Sequence, residues 1–208
     1  MSKRQRTEPL FCKPFAVLSE CPPKEPGKRV IGTHDGTFHC DEALGCAFLQ
    51  MLPEWAGSTI VRTRNEAELA KCDVSALRID SCPQPHTVSP PLSILVAQMV
   101  IDVGAVYDHS IRRFDHHQRT FVSTLKEEHP DVPPDARPDF STKLSACGLV
   151  YKHYGLQELL PALTGSLGVP STLLPVLYRK MYKGFVEEVW TSRYLAWAIA
   201  WIAPQAKQ

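Results

Sequence analysis

The sequence predicts an α/β protein, a mostly parallel sheet flanked by helices, and three observations carry that prediction. Short apolar runs alternate with segments of helical periodicity from Lys28 to Lys71, the alternation left by strand-helix-strand units. Metal-ligand side chains follow three of the apolar runs, at His34, Asp102 and Asp115, as they would along the carboxyl edge of a parallel sheet. With 208 residues, 44% of them hydrophobic, the chain is sized for one domain with an ample core. A formal net charge of +1 excludes bulk attraction to polyanions, so any nucleic-acid binding has to come from a local patch or from bound metal.

Residues 1–27 carry prolines, no periodicity and no continuous apolar stretch of a secretory signal, and they are expected to be disordered. Lys3, Arg4 and Arg6 form a small basic cluster that reads either as a nuclear address or as a solvated terminus. A domain spanning 28–189 then begins. Residues 29–33 read as a buried strand, and Asp41 is expected to cap a helix whose apolar positions are Leu44, Ala47, Phe48 and Met51, closed by Pro53. Residues 59–64 read as a second strand, and Asn65 with Glu68 resembles a capping box opening a helix over 66–71.

The segment 74–98 contains Pro83, Pro85, Pro90 and Pro91 and fits neither helix nor strand, so it reads as an interruption of the domain. Beyond it, 99–104 reads as a central strand and 111–117 as another. A proline-rich loop over 126–142 leads to a helix over 145–154 closed by Gly155. A last helix from Ser171 or Thr172 is expected to bury Leu177, Met181, Phe185 and Val189.

Residues 190–208 form an apolar tail whose tryptophans and isoleucines would leave a helix apolar all round, which predicts poor solubility or chaperone association. Its longest apolar run, 194–203, is half of the roughly 20 residues needed to span a bilayer, so no membrane partner is expected. The seven cysteines are scattered, with no Cys-x-x-Cys pair, which fits a reducing compartment and argues against a zinc knuckle.

The chemistry concentrates in three places. His34, His39 and Asp41 lie in a loop that Gly36 allows to turn sharply, Asp102 ends an apolar run, and Asp115-His116-His117 follows another. Each has an ordinary reading: Asp41 as a cap, the histidines as surface residues, the last cluster as a charged hairpin. Adjacent histidines on a strand would point to opposite sides, so one can hold metal while the other faces substrate, with Arg113 and Arg119 available for phosphate. A His and Asp set without thiolates suits manganese or magnesium, and less selectively zinc. Cys40 reads as packing, and His86, His109, His129 and His153 as solvated residues.

The motifs GTHDGTFHCDEALG, VRTR, VIDVG, RRFDHHQRTF, TKLSACGLVYKHYG and LYRKMYKGFVEEV, in that order, closely resemble the melanocyte-proliferating-gene (Myg) exonuclease family. That family, also labelled metal-dependent protein hydrolase, is similar in its motifs to the DHH phosphoesterases. The resemblance implies a DHH-like domain with a second domain closing over the substrate. It also implies 3' to 5' exonuclease action on single-stranded RNA, in the nucleus and mitochondrion. Carried over by motif, His34, His39, Asp41, Asp102 and His116 match metal ligands, with Asp102 shared between two ions. His117 matches the catalytic histidine that contacts the scissile phosphate, and Asp115 the group that orients the histidines.

Two departures qualify this. The family runs from Cys72-Asp73 directly into the strand that begins here at Met99, so 74–98 reads as inserted. Its ends are codable as splice signals, which suggests a retained intron; transcripts continuous through this region as a conventional exon would refute that. After FVEEV the family continues with a DAVDNG-type motif, where this chain has Trp190-Thr191-Ser192-Arg193. The bridging carboxylate and second domain are therefore expected to be absent and the two-ion site incomplete. The reading is an impaired metal-dependent phosphodiesterase. The alternatives are an inactive truncated isoform that at most binds metal or a partner, and a small-molecule pyrophosphatase or nucleotide phosphatase.

Overall fold

The computed structural model describes residues 13–25, 27–71, 98–125 and 140–191. Six strands form one sheet: β1 (Val17–Leu18), β2 (Val30–Thr33), β3 (Thr59–Arg62), β4 (Gln98–Ile101), β5 (Tyr107–Asp108) and β6 (Arg113–Phe114). Their order is β1-β3-β2-β4-β6-β5; every pair is parallel except the antiparallel β5 and β6 at one edge. The mostly parallel α/β sheet expected from the sequence is thus present. All four residues of β2 and of β4 are buried, as continuous apolar runs in a sheet covered on both faces require. The chain leaves β2 for β3 on one side and reaches β4 on the other, so His34 and Asp102 stand where the strand order reverses.

Helices α1 (Cys40–Met51) and α3 (Ala146–Tyr154) pack on one face. There Ile31, Phe48, Leu49, Trp55, Ile101, Leu149 and Tyr151 are among the fully buried side chains of the main core. Helix α2 (Glu66–Lys71) covers the other face, where Leu69 joins Val30, Val61 and Val100. After α3 the chain runs through α4 (Leu160–Thr164), α5 (Leu174–Met181) and α6 (Glu187–Thr191). Among the described residues, no helix is long and apolar enough to cross a membrane.

Several local expectations are corrected. Residues 13–25, placed by sequence in a disordered terminus, contribute β1, which adds to β3 through pairs Val17 with Ile60 and Leu18 with Val61. Strand β4 stops at Ile101 because Asp102 turns into the left-handed region, φ 56°. The third apolar run keeps only two residues as strand, so His116 and His117 lie in the loop beyond it.

Gly155 does not close α3. Its φ is −59°, and a π-helical turn carries the chain on through Leu159. The glycine is there for close approach, since a Cβ would meet the Tyr178 ring at 2.7 Å. In the last helical stretch the fully buried apolar residues are Tyr178, Tyr182 and Val186, one position beyond the expected face; Leu177, Met181 and Val189 are half-buried against the core as expected, while Phe185 is 48% exposed. The tyrosines decide the phase: Tyr178 stacks on Tyr151 at 4.7 Å with its carbonyl accepting the Tyr151 hydroxyl, and Tyr182 meets Phe140 edge-on. Residues 74–97, most of the 126–142 loop and 192–208 of the tail lie outside the described residues, as do His86 and His129.

Candidate metal centre

Parallel strands deliver their following residues to one edge of the sheet. His34 follows β2, Asp102 follows β4 and Asp115 follows β6, while the loop from β2 to α1 brings in His39. Gly36, at φ 82°, makes the turn within that loop. Two groups of possible ligand atoms result, each spanning no more than 4.8 Å: His34, His39, Glu42 and Asp102, and Asp102, Asp115, His116 and His117. Asp102 belongs to both.

Glu42 is the residue that sequence reasoning missed. It sits three positions after His39 in the first turn of α1, and both its oxygens accept the His39 backbone N–H, at 2.9 and 2.8 Å. The N-cap of α1 is therefore His39, not Asp41, and Glu42 closes a capping box from the third helical position. Its remaining capacity faces His34, whose Nε2 lies 3.1 Å from Glu42 Oε2 and 3.5 Å from Asp102 Oδ2. A glutamate three residues beyond His39, the spacing of a capping box, was the available signal.

Asp41 instead caps a different helix. Its Oδ2 and Oδ1 accept the N–H groups of Ala146 and Cys147 at 2.9 and 2.6 Å, alongside the N-cap Ser145 of α3. That pins the carboxylate with Oδ2 3.7 Å from His116 Nδ1, the same distance that separates His116 Nδ1 from Asp102 Oδ1.

Asp115 holds the second group together. Oδ2 accepts from Ala105 N–H at 2.6 Å, and Oδ1 accepts from the backbone of His116 at 2.7 Å and from His117 Nδ1 at 2.5 Å. The two imidazoles stack at 4.3 Å instead of pointing to opposite sides, because neither lies on a strand. His116 is mostly buried, whereas His117 is open to the cleft. That cleft, of about 470 Å³, is bordered by His34, His39, Asp102, His117 and, as its arginine, Arg64. Arg113 packs against Gly104 and Arg119 is exposed in the following turn; neither borders the cleft.

The electrostatics fit a cation. The Asp102 carboxylate, then Glu42, pushes the His34 imidazole up to about 10. Burial raises the Asp102 carboxyl, and the nearby Asp41 charge adds to that, against the opposing pull of His34. Asp102 Oδ1 is buried without a hydrogen-bond partner. An orphaned carboxylate oxygen between two imidazole and carboxylate groups is what a divalent cation would satisfy. Burial also pushes Asp115 up, but the His117 and Ala105 hydrogen bonds outweigh it and hold it below the usual carboxylate range.

The thiols contribute nothing comparable, since burial raises Cys40, Cys147 and, to about 12, Cys46. His109 is exposed as expected but stacks at 4.0 Å on His153, which is half-buried with its Nε2 2.9 Å from the Tyr107 hydroxyl.

The model of the Uncharacterised protein family (UPF0160), the MYG1 exonucleases, matches residues 30–76 and 91–191. The chain belongs to the MYG1 exonuclease family. The match is interrupted at 77–90, inside the segment read as an insertion. Among relatives, the chain is 43% identical over 159 residues to the MYG1 exonuclease of Mus musculus, covering 76% of this chain and 33% of that protein. It is 40% identical over 173 residues to the MYG1 exonuclease of Homo sapiens, covering 81% of this chain and 37% of that one. A MYG1 protein of Schizosaccharomyces pombe is 36% identical over 157 residues. The chain thus spans about a third of the length of the MYG1 relatives it matches. No solved structure matches it.

Proposed function

We propose that this chain is the metal-binding part of a phosphodiesterase that removes nucleotides from the 3' end of single-stranded RNA. The observation that carries the reading is Asp102, buried with an unpartnered oxygen and common to two His and carboxylate groups at the carboxyl edge of the sheet. His34, His39, Glu42 and Asp102 would hold one ion, and Asp102 with His116 and Asp41 the other; manganese or magnesium suits that donor set. Such an ion supplies Lewis-acid polarisation of a phosphoryl oxygen and an acidified water.

The chain's own residues do the rest. Asp115 fixes the His117 ring through Nδ1, which aims Nε2 at the open cleft where a phosphate oxygen gains charge. Arg64 on the cleft wall adds a fixed positive charge, held by its 2.6 Å bond to Asp35. The test is digestion of 3'-labelled single-stranded RNA with manganese or with EDTA. Manganese-dependent release of mononucleotides, lost in Asp102→Asn and slowed in His117→Ala with manganese binding intact, is the expected result.

A second reading is a chain that binds metal without turnover. It is favoured by Trp190-Thr191-Ser192-Arg193, which offers no carboxylate where the resembling family has its last motif. Manganese binding with no hydrolysis of RNA would establish it. Phosphate release from pyrophosphate with RNA left intact would point instead to a small-molecule phosphatase.

A further inference from the structure

A second cavity, of about 390 Å³, lies beside the metal centre on the α1 face of the sheet. Its rim is apolar and open: Phe15, Val17 and Phe38 are each about half exposed, at 51%, 53% and 51%. Its lining includes the buried Cys46 and Ile60 and, one turn apart on α1, the small side chains of Ala43 and Ala47. At one side the Arg62 guanidinium lies 3.6 Å from the centre of the Phe38 ring, tied down by the Gly36 carbonyl at 3.2 Å and Glu42 Oε1 at 3.3 Å. A planar cation stacked on an aromatic ring is thereby fixed at the cavity wall.

Two lining residues also keep buried polar atoms without hydrogen-bond partners, Thr33 Oγ1 and Arg62 Nε. Both adjoin the metal centre: Thr33 precedes His34, and Arg62 contacts Glu42. An aliphatic occupant would fill the slot but leave those atoms unpaired. A flat heteroaromatic ring would cover the apolar walls and offer donors and acceptors along its edge.

We propose that this cavity is a nucleobase subsite, holding the base of a nucleotide whose phosphate lies at the metal centre. The placing of the phosphate rests on the phosphodiesterase reading above, whereas the base subsite rests on the cavity alone. Base stacking tolerates any of the four bases, so the subsite would accept a nucleotide with little sequence preference.

The two ideas separate experimentally. In EDTA, the full chain is titrated with adenosine and with uridine while backbone amide chemical shifts are followed; ribose and inorganic phosphate are the controls. Saturable shifts at Phe38, Ala47 and Arg62 with both nucleosides are expected. Ala47→Phe, which puts a large side chain into the lining, should weaken them at least tenfold. Phe15→Ala, at an exposed position that does not threaten folding, should weaken them severalfold. Asp102→Asn should leave nucleoside binding unchanged.

Shifts no larger than those with ribose, or nucleoside binding untouched by both cavity variants, would overturn the subsite. Manganese-dependent hydrolysis of bis(p-nitrophenyl) phosphate without nucleoside binding would keep the phosphodiesterase and discard the subsite. Nucleoside binding without any hydrolysis would do the reverse.

Discussion

Replacing Asp102 by asparagine should separate what the residue does for the fold from what it does for metal. Removing one partner of a buried ion pair commonly costs about 3–5 kcal/mol, because the other charge is left uncompensated. Here His34 keeps Glu42 at 3.1 Å, so its charge stays paired. The substitution also relieves the burial that raises the Asp102 carboxyl and the repulsion from Asp41. Asparagine tolerates the left-handed φ of 56° at this position, so the backbone is unstrained by the change. In EDTA, the variant should therefore lie within about 1 kcal/mol of the parent.

With manganese at about a hundred times its dissociation constant, the parent should gain about 2.7 kcal/mol, roughly 5–10 °C in melting temperature for a chain of this size. The variant should gain almost nothing. Thermal melts of both proteins, with and without manganese, read the two effects together. A variant that keeps the manganese shift would refute the placing of the metal. A loss of more than about 3 kcal/mol in EDTA would show that Asp102 is chiefly structural.

Asp41→Ala should cost about 1–2 kcal/mol by urea unfolding, since it removes two hydrogen bonds from the α3 amide groups; no change would mean Ser145 suffices as cap. For acid stability the informative group is His153, lowered to about 4 mainly by burial, with His109 and Lys152 adding to it. Above its unfolded value of 6.5 the ring is neutral in both states and contributes nothing. Between that pH and about 4 only the unfolded chain takes up the proton, so stability falls with pH there, by about 1–2 kcal/mol once the ring's partial exposure is allowed for. His153→Gln should flatten that part of the urea-stability profile relative to the parent, and an unchanged difference between pH 7 and pH 4.5 would remove His153 as its cause.

The sheet and most of the centre were legible because parallel strands place ligands by a local rule, immediately after an apolar run. His34, Asp102 and Asp115 obey it. What escaped depends on contacts far apart in sequence. Asp41 looks like the cap of its own helix but reaches α3, more than a hundred residues away. That left Glu42, its neighbour, unconsidered, although Glu42 closes the capping box on His39 and faces His34. Strand β1 is two residues long and has no period to read. The pairing of His109 with His153 brings together a 3-10 turn and a helix that share no local pattern. The phase of the last helix was lost because burial of Tyr178 and Tyr182 depends on ring stacking, which a count of aliphatic residues ignores.

The connection between β4 and β6 carries three non-glycine residues in the left-handed region, Asp102, Ala105 and Arg112. Ala105 has least reason to be there, and the conformation of an alanine at φ 51° costs about 1–2 kcal/mol. Its N–H is held by Asp115 Oδ2, while Oδ1 of the same carboxylate holds the His117 ring. One side chain thus keeps a strained turn closed and a histidine aimed. Asp115→Asn should break that double hold, because the amide group can accept along one edge only and would oppose a donor with a donor on the other. The loss should be about 1.5–3 kcal/mol, the value of a charge-assisted hydrogen bond. Adding Ala105→Gly, which removes the strain, should return up to about 1 kcal/mol of stability to Asp115→Asn. It should not restore phosphodiesterase turnover, since the His117 ring still lacks its carboxylate. Paired urea unfolding and RNA digestion of the single and double variants test this, and recovery of turnover along with stability would show that Asp115 acts only through the turn.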